Sequence, residues 1–248
     1  MIKKYIMIIF ILTISANFIF AKKLKGNQIL LKADQYRGLK QEFNILTYLE
    51  YHYNNERKGK ANFKSYVKSD RRSITKVLKP RRMKGRIILV TDQNMWVYIP
   101  RTRFPIRISP MQRFMGPASY GDVARLTFAG DYDAKIQSIV KVNGKNCYFL
   151  KLKGIKKGIA YTYIDYYVEV KSFKPMKAIY YAKSGRPLKE AVYTKYIYHS
   201  SSKRVGVYEV IITDLVNTSH KVLFRYTRPK RGALPNAYFQ KNYMKRIR

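Results

Sequence analysis

The sequence predicts a mainly β protein built on one strongly curved antiparallel sheet of roughly a dozen strands in meander order. Three observations carry this. Apolar and polar residues alternate with a period of two in segment after segment from Phe43 to Tyr226. Turn residues close most of these segments after a short run. No helical pattern long enough for a parallel crossover lies between them, so neighbouring strands must run antiparallel. With 46% hydrophobic and 15% aromatic residues, the chain carries enough apolar surface to bury a sizeable core.

Along the chain, Ile29, Leu30, Ala33 and then Tyr36 or Arg37 stand at helical spacing within 26–40, which predicts a short amphipathic helix closed near Gly38. The period then changes to two. Phe43, Ile45, Thr47, Leu49 and Tyr51 form one face of a strand whose turn is Asn54-Asn55. Strands follow at 63–67 and 73–78. A hairpin at 87–91 and 95–99 turns at Asp92-Gln93-Asn94, and a short strand occupies 104–109. The pattern breaks over 109–130, where Pro110, Gly116, Pro117, Gly121 and Gly130 interrupt it. A short helix is expected there at 122–126, with Asp122 as its cap. Strands resume at 135–142 and 147–152 around Asn143-Gly144, a type I′ turn signal. Further strands are expected at 160–170, 177–182, 188–198, 205–213 and 220–226.

In 161–170, Thr162, Ile164, Tyr166, Val168 and Val170 oppose Tyr161, Tyr163, Asp165, Tyr167 and Glu169. Val222, Phe224 and Tyr226 similarly oppose Lys221, Leu223 and Arg225. One face is apolar and the other charged or phenolic, as for a sheet with one solvated side on which lysine stems and tyrosine rings cover apolar surface. The apolar face must close on itself or be covered. The only cover in sequence is the first helix and the 111–126 segment, which leaves room for a cavity.

The first 21 residues read as a secretory signal. Lys3 and Lys4 precede an apolar run from Tyr5 to Phe20, and cleavage is expected after Ala21. That run is shorter than the roughly 20 residues a membrane-spanning helix needs, and no cysteine follows it for lipid modification. The expected organisation is therefore a signal peptide at 1–21 and a single domain at 22–248, exported to the periplasm, with peripheral membrane association as a further expectation. The 51 Lys and Arg against 14 Asp and Glu give a formal charge of +37. Loss of Lys3 and Lys4 with the signal leaves +35. Such a balance calls for an anionic partner. Export moves the expectation away from nucleic acid and toward an anionic membrane surface. Cys147 stands alone, which excludes an intramolecular disulfide and a cysteine-rich metal site.

Several segments together resemble a known family. They are 84–90, Asn94-Met95-Trp96-Val97-Tyr98-Ile99-Pro100, Arg107-Ile108-Ser109, Phe114-Met115-Gly116, Ala33-Asp34 through Arg37-Gly38, Gly121-Asp122, Asp131-Tyr132 and Phe239-Gln240 to Tyr243. In order and spacing they resemble the outer-membrane lipoprotein-sorting proteins, the LolA-like carriers, over essentially the whole mature chain. The resemblance implies an incompletely closed antiparallel half-barrel with short helices and a loop as a lid over a hydrophobic cavity. It also implies a carrier that holds acyl chains of lipoproteins or other lipids during transfer between membranes, with an envelope transporter or acceptor protein as a further partner. The short Arg-Pro motif whose arginine ties the lid to the sheet in the best-known carriers has no clear match; Arg71-Arg72 lies in the right region but precedes Ser73.

The residues expected to line the cavity are Phe43, Ile45, Leu49, Ile164, Tyr166, Val168, Val210, Ile212 and Phe224, although alternation is the same for a hollow sheet and a filled one. Trp96 joins them as either a cavity or a core residue, because both faces of its strand are apolar. Phe114 and Met115 are expected lid contacts, or else two apolar anchors of a plain loop. Basic docking residues are Arg81, Arg82, Lys84, Arg86, Arg101 and Arg103. No enzymatic activity, cofactor or metal site is expected. His52, His199 and His220 lack ligand spacing, and Asp131 and Asp133 beside Gly130 suit a turn better than an acid–base pair. The competing readings are a basic membrane-binding or scaffold module with a filled core, and a polyanion-binding protein.

Overall fold

The computed structural model describes residues 24–38, 41–68, 72–199, 203–232 and 234–247. The expected signal segment and Arg71 lie outside the described residues. Helix α1 (Gly26–Asp34) leads into β1 (Phe43–Tyr53), β2 (Glu56–Val67), β3 (Ser73–Lys79), β4 (Ile87–Val90), β5 (Met95–Tyr98) and β6 (Ile106–Ile108). A small hairpin, β7 (Arg113–Met115) and β8 (Ala118–Ser119), precedes α2 (Tyr120–Ala124). The second run comprises β9 (Tyr132–Val142), β10 (Lys145–Gly154), β11 (Tyr163–Glu169), β12 (Pro175–Tyr181), β13 (Pro187–His199), β14 (Arg204–Asp214) and β15 (His220–Tyr226), then the two-residue β16 (Lys230–Arg231). Two 3₁₀ turns, Asn236–Phe239 and Lys241–Arg246, follow.

The sheet is antiparallel throughout, in the order β6-β5-β4-β3-β2-β1-β15-β14-β13-β12-β11-β10-β9. It consists of two meanders joined where β1 pairs with β15, Leu49 facing Phe224 and Tyr51 facing Val222. The first strand in sequence is therefore central. The edges, β6 and β9, do not pair with each other among the described strands, so the sheet stays open. The hairpin turns are local. Asn54-Asn55 and Asn143-Gly144 all take positive φ, the type I′ geometry that matches strand twist.

The 109–131 segment crosses over the concave face, and it is more regular than its sequence suggests. It contains the β7–β8 hairpin, and its helix begins two residues before the expected position. Ser119 rather than Asp122 is the cap. The Asp122 N–H donates to Ser119 Oγ (3.3 Å) and the Ser119 N–H donates to Asp122 Oδ2 (2.8 Å), a reciprocal capping box. Phe114 and Met115 are buried here, with the Phe114 ring edge-on to Phe63 at 6.1 Å and to Tyr120 at 5.3 Å. Gly116 is required: its φ is +53°, and a Cβ there would stand 2.2 Å from the Tyr51 ring. A bond from Ser73 Oγ to the Ala124 carbonyl (2.9 Å) ties α2 to β3.

Helix α1 lies against the start of β9, covering part of that edge. The Ala134 N–H donates to Asn27 Oδ1 at 2.6 Å, and a Cβ at Gly26 would meet the Ala134 carbonyl oxygen at 2.1 Å. The helix buries Ile29, Leu30 and Ala33 in the main core. A second cluster forms on the opposite face of β3, β4 and β5, where Ile74, Ile87 and Leu89 meet Phe239 and Met244 of the C-terminal turns.

Candidate functional site

The inner face meets α1 and the crossing segment at one cluster. Leu30, Asp34 and Arg37 follow one another at i, i+4 and i+7, on the stripe of α1 and its extension that faces inward. Asp34 Oδ2 accepts the N–H groups of Phe128 (2.8 Å) and Ala129 (2.6 Å). The Arg37 guanidinium carbon stands 4.0 Å from the centre of the Phe128 ring. Phe128 in turn meets Tyr132, Tyr166 and Tyr180 edge-on, at 5.7, 5.4 and 6.3 Å. Burial pushes the Asp34 carboxyl up to about 6, against the pull of Arg37 and the two amides. Burial likewise raises the Tyr166 and Tyr180 hydroxyls well above the ordinary phenol range, so both are neutral.

Around this latch one ion pair braces the crossing segment internally and another ties it to the sheet. Arg125 pairs with Asp131 and donates from Nη2 to the Gly158 carbonyl at 3.2 Å. Asp122 accepts Lys189 Nζ at 2.7 Å and the Tyr161 hydroxyl at 2.7 Å. Burial opposes ionisation of Asp122, but Lys189, the Ser119 amide and Tyr161 outweigh it and hold the carboxyl below its ordinary range. Tyr161, read from sequence as facing outward, is buried, because the strand starts only at Tyr163 and Tyr161 belongs to the preceding loop.

Two spaces flank the Thr127–Tyr132 strip. One is an interior cavity of about 50 Å³, bordered by Arg37, Asp122, Arg125, Leu126, Phe128, five tyrosines (Tyr132, Tyr161, Tyr180, Tyr193, Tyr226), Val207, Val210 and Ile212. The other is an open groove of about 680 Å³ between α1 and the strip, bordered by Leu30, Leu31, Asp34, Phe43, Val67, Lys68, Ala129 and Ile155. Thr127 and Tyr132 border both. The inner space holds a few water-sized groups. The outer one falls within the range of small-molecule pockets.

Of the residues expected to line a cavity, Val210 and Ile212 border the inner space and Phe43 the groove. Leu49, Ile164, Tyr166, Val168 and Phe224 share the inner face but are packed into the core, and Ile45 packs with Phe43, Val67 and Leu126. Trp96 does not belong to the set. Met95 and Val97 point inward, so Trp96 lies on the opposite face beside the C-terminal cluster, with Lys241 Nζ 4.3 Å from its ring centre. Both faces of β5 are apolar because both are covered, and only the fold shows by what. Phe114 and Met115 sit on the crossing segment over the inner face of β1 and β2.

Arg81, Arg82, Lys84, Arg101 and Arg103 are exposed, but Arg86 is half-buried and its Nε is sealed from solvent, which removes it from a free docking set. Exposed Phe104 (60%), Ile106 (51%) and Met111 (47%) stand among Arg101, Arg103 and Arg107 at the β6 edge. The carboxylates considered as an acid–base pair have separate partners: Asp131 holds Arg125, and Asp133 accepts Asn27 Nδ2 at 2.8 Å. Among the described residues no three His, Cys, Asp or Glu cluster, and no helix is long and apolar enough to cross a membrane. The Asp34–Arg37–Phe128 latch was not predicted as a site. Its sequence signal is a charged pair on the buried stripe of an amphipathic helix.

A family model described as "Uncharacterized protein" matches residues 69–246. The chain is similar to the crystal structure of a LolA superfamily protein from Nitrosomonas europaea, at 27% identity and a TM-score of 0.81, over 89% of this chain and 99% of that one. A DUF1329 family protein from Desulfovibrio piger superposes with a TM-score of 0.72 at 20% identity, over 88% of this chain and 97% of that one. An outer membrane lipoprotein-sorting protein domain from Vibrio parahaemolyticus gives 0.72 at 17% identity, over 89% and 98%. These last two bear on the fold alone. No curated protein sequence matches the chain.

Proposed function

From the premise that this chain belongs to the LolA-like, outer-membrane lipoprotein-sorting family, we propose that it is an exported periplasmic carrier. It binds acyl chains of lipoproteins or other lipids and moves them between membranes without chemical transformation. The observation that carries this reading is the Thr127–Tyr132 strip. It forms a wall, held by Asp34 and Arg37, between a 50 Å³ interior space and a 680 Å³ groove. Displacing Phe128 would join the two into one channel along α1, apolar along the groove and polar at its inner end. The crossing segment is then the lid. Cargo is held by apolar burial, about 0.8 kcal/mol per methylene, and exchange is governed by lid movement rather than by bond making.

The basic surface supplies the docking. Phe104, Ile106 and Met111 are apolar residues ringed by arginines at a free sheet edge, a composition suited to the interface of an anionic bilayer. Pro110, immediately beyond that edge, accepts the Gly121 N–H at 2.8 Å, so a membrane-bound edge is one hydrogen bond from the lid helix. Direct transfer to an envelope transporter or acceptor protein would use the same surface.

Native mass spectrometry of protein purified gently from the envelope tests the carrier reading. Co-purifying lipid masses that are lost on denaturation are expected. A second reading, a membrane-binding module with a filled core, is favoured by one observation, the small size of the interior space. It predicts protein mass alone together with undiminished binding to vesicles.

A further inference from the structure

The interior carries more hydrogen-bonding capacity than a site for alkyl chains alone needs. Arg37 borders the inner cavity, yet its Nη1 is buried without a hydrogen bond. The nearest carboxylate oxygen, Asp34 Oδ1, is 3.8 Å away and is itself without one. The other Asp34 oxygen is committed to the Phe128 and Ala129 amides. The second arginine at the cavity, Arg125, is paired with Asp131, and the Asp122 carboxylate there is taken up by Lys189 and Tyr161. Arg125 Nε is also buried without a hydrogen bond, but both of its terminal nitrogens are engaged, by Asp131 and by the Gly158 carbonyl, so Arg37 is the cavity arginine whose guanidinium end keeps an unspent donor. Buried guanidinium groups ordinarily find acceptors for their N–H groups, and leaving one unmet is costly. Around it, Tyr180, Tyr193 and Tyr226 border the same space. The space measures about 50 Å³, the size of a small polar head and far too small for a chain.

Resting on the carrier reading, we propose that the cargo is a single-chain amphiphile with an anionic head, a carboxylate or a phosphate monoester, that binds head-first. The head lodges in the inner cavity against the Arg37 guanidinium, with the Tyr180, Tyr193 and Tyr226 hydroxyls donating to it. The chain passes the Thr127–Tyr132 wall and lies in the groove along α1. A head of this kind supplies the acceptor oxygens that Arg37 lacks, in charge-assisted bonds. A cargo that enters chain-first and keeps its head outside, as an acylated protein must, leaves the guanidinium unmatched.

The test is displacement of a fluorescent fatty probe from the delipidated full chain by palmitate, hexadecyl phosphate, hexadecanol and a triacylated peptide at neutral pH. One or both anions should bind roughly tenfold more tightly than the alcohol, and whichever does so identifies the head. In Arg37→Gln that preference should fall to within about threefold while the alcohol still binds. If that variant does not fold, Tyr226→Phe, which keeps the Arg37–Phe128 contact, should weaken the anion by roughly threefold and leave the alcohol unchanged. Equal binding of anions and alcohol by the unaltered chain, or an anion preference that survives both substitutions, overturns the proposal. If the alcohol or a triacylated peptide binds without any preference for an anionic head, the carrier reading stands and the head-first inference fails. If none of the ligands binds, the carrier reading itself fails.

Discussion

Arg37 covers the face of Phe128 while Asp34, three residues earlier, accepts the Phe128 backbone N–H. One turn at the end of the first helix therefore holds both the ring and the backbone of the residue that plugs the interior. Phe128→Ala should destabilise the protein by about 3 kcal/mol and speed the uptake of a fluorescent fatty acid several-fold. Denaturant unfolding and stopped-flow fluorescence read the two effects. Slower or unchanged uptake would show that Phe128 does not gate the interior.

Asp34 makes the latch pH-dependent. Its carboxyl titrates near 6 in the folded chain and near 3.8 when unfolded, so between these values the folded state binds the extra proton. Stability from this group is therefore highest below the unfolded value, falls as pH rises through the window, and is constant above about 6. Asp34→Asn removes the titration. The stability difference between the two proteins should shift in favour of the variant by about 2–3 kcal/mol from pH 4 to pH 6.5. Parallel unfolding curves at several pH values measure it, and a constant difference would refute the assignment.

Gly116→Ala probes how the β7–β8 hairpin seats on the sheet. A residue with φ of +53° and a Cβ 2.2 Å from the Tyr51 ring must either distort the turn or push Tyr51 aside. A loss of about 2 kcal/mol is expected, and thermal unfolding should register it. An unchanged melting temperature would mean that the hairpin is not tightly seated.

Trp96 should be silent to cargo. It lies on the face covered by the C-terminal turns, beneath Lys241, so lipid loading should leave its emission maximum in place. Truncation after Arg231 should shift that maximum to the red by exposing the ring. A shift on loading alone would return Trp96 to the cavity.

Membrane docking should depend on the β6 edge. Arg101→Glu with Arg103→Glu should weaken binding to anionic vesicles by more than tenfold, since each basic residue at such a surface contributes about 1 kcal/mol. Phe104→Ser should weaken it less, and in a way that added salt does not mimic. Sedimentation with anionic and with neutral vesicles distinguishes these outcomes. Equal sedimentation of all forms would exclude this edge.

What the sequence by itself determined is the sheet. A period-two pattern states which side of a strand is apolar, and turn residues such as Asn143-Gly144 state where the chain reverses; both are local properties of the backbone. Those signals, with the family segments, led to an open antiparallel half-barrel. The tertiary structure alone decided what covers each apolar side. Trp96 and Val97 look alike in sequence, yet one meets the C-terminal turns and the other the interior. The tertiary structure also decided the latch, because Asp34 and Arg37 meet Phe128 across more than 90 residues of chain. Periodicity records whether a side chain is buried, whereas the partner that satisfies a buried charge is fixed only when distant segments pack together.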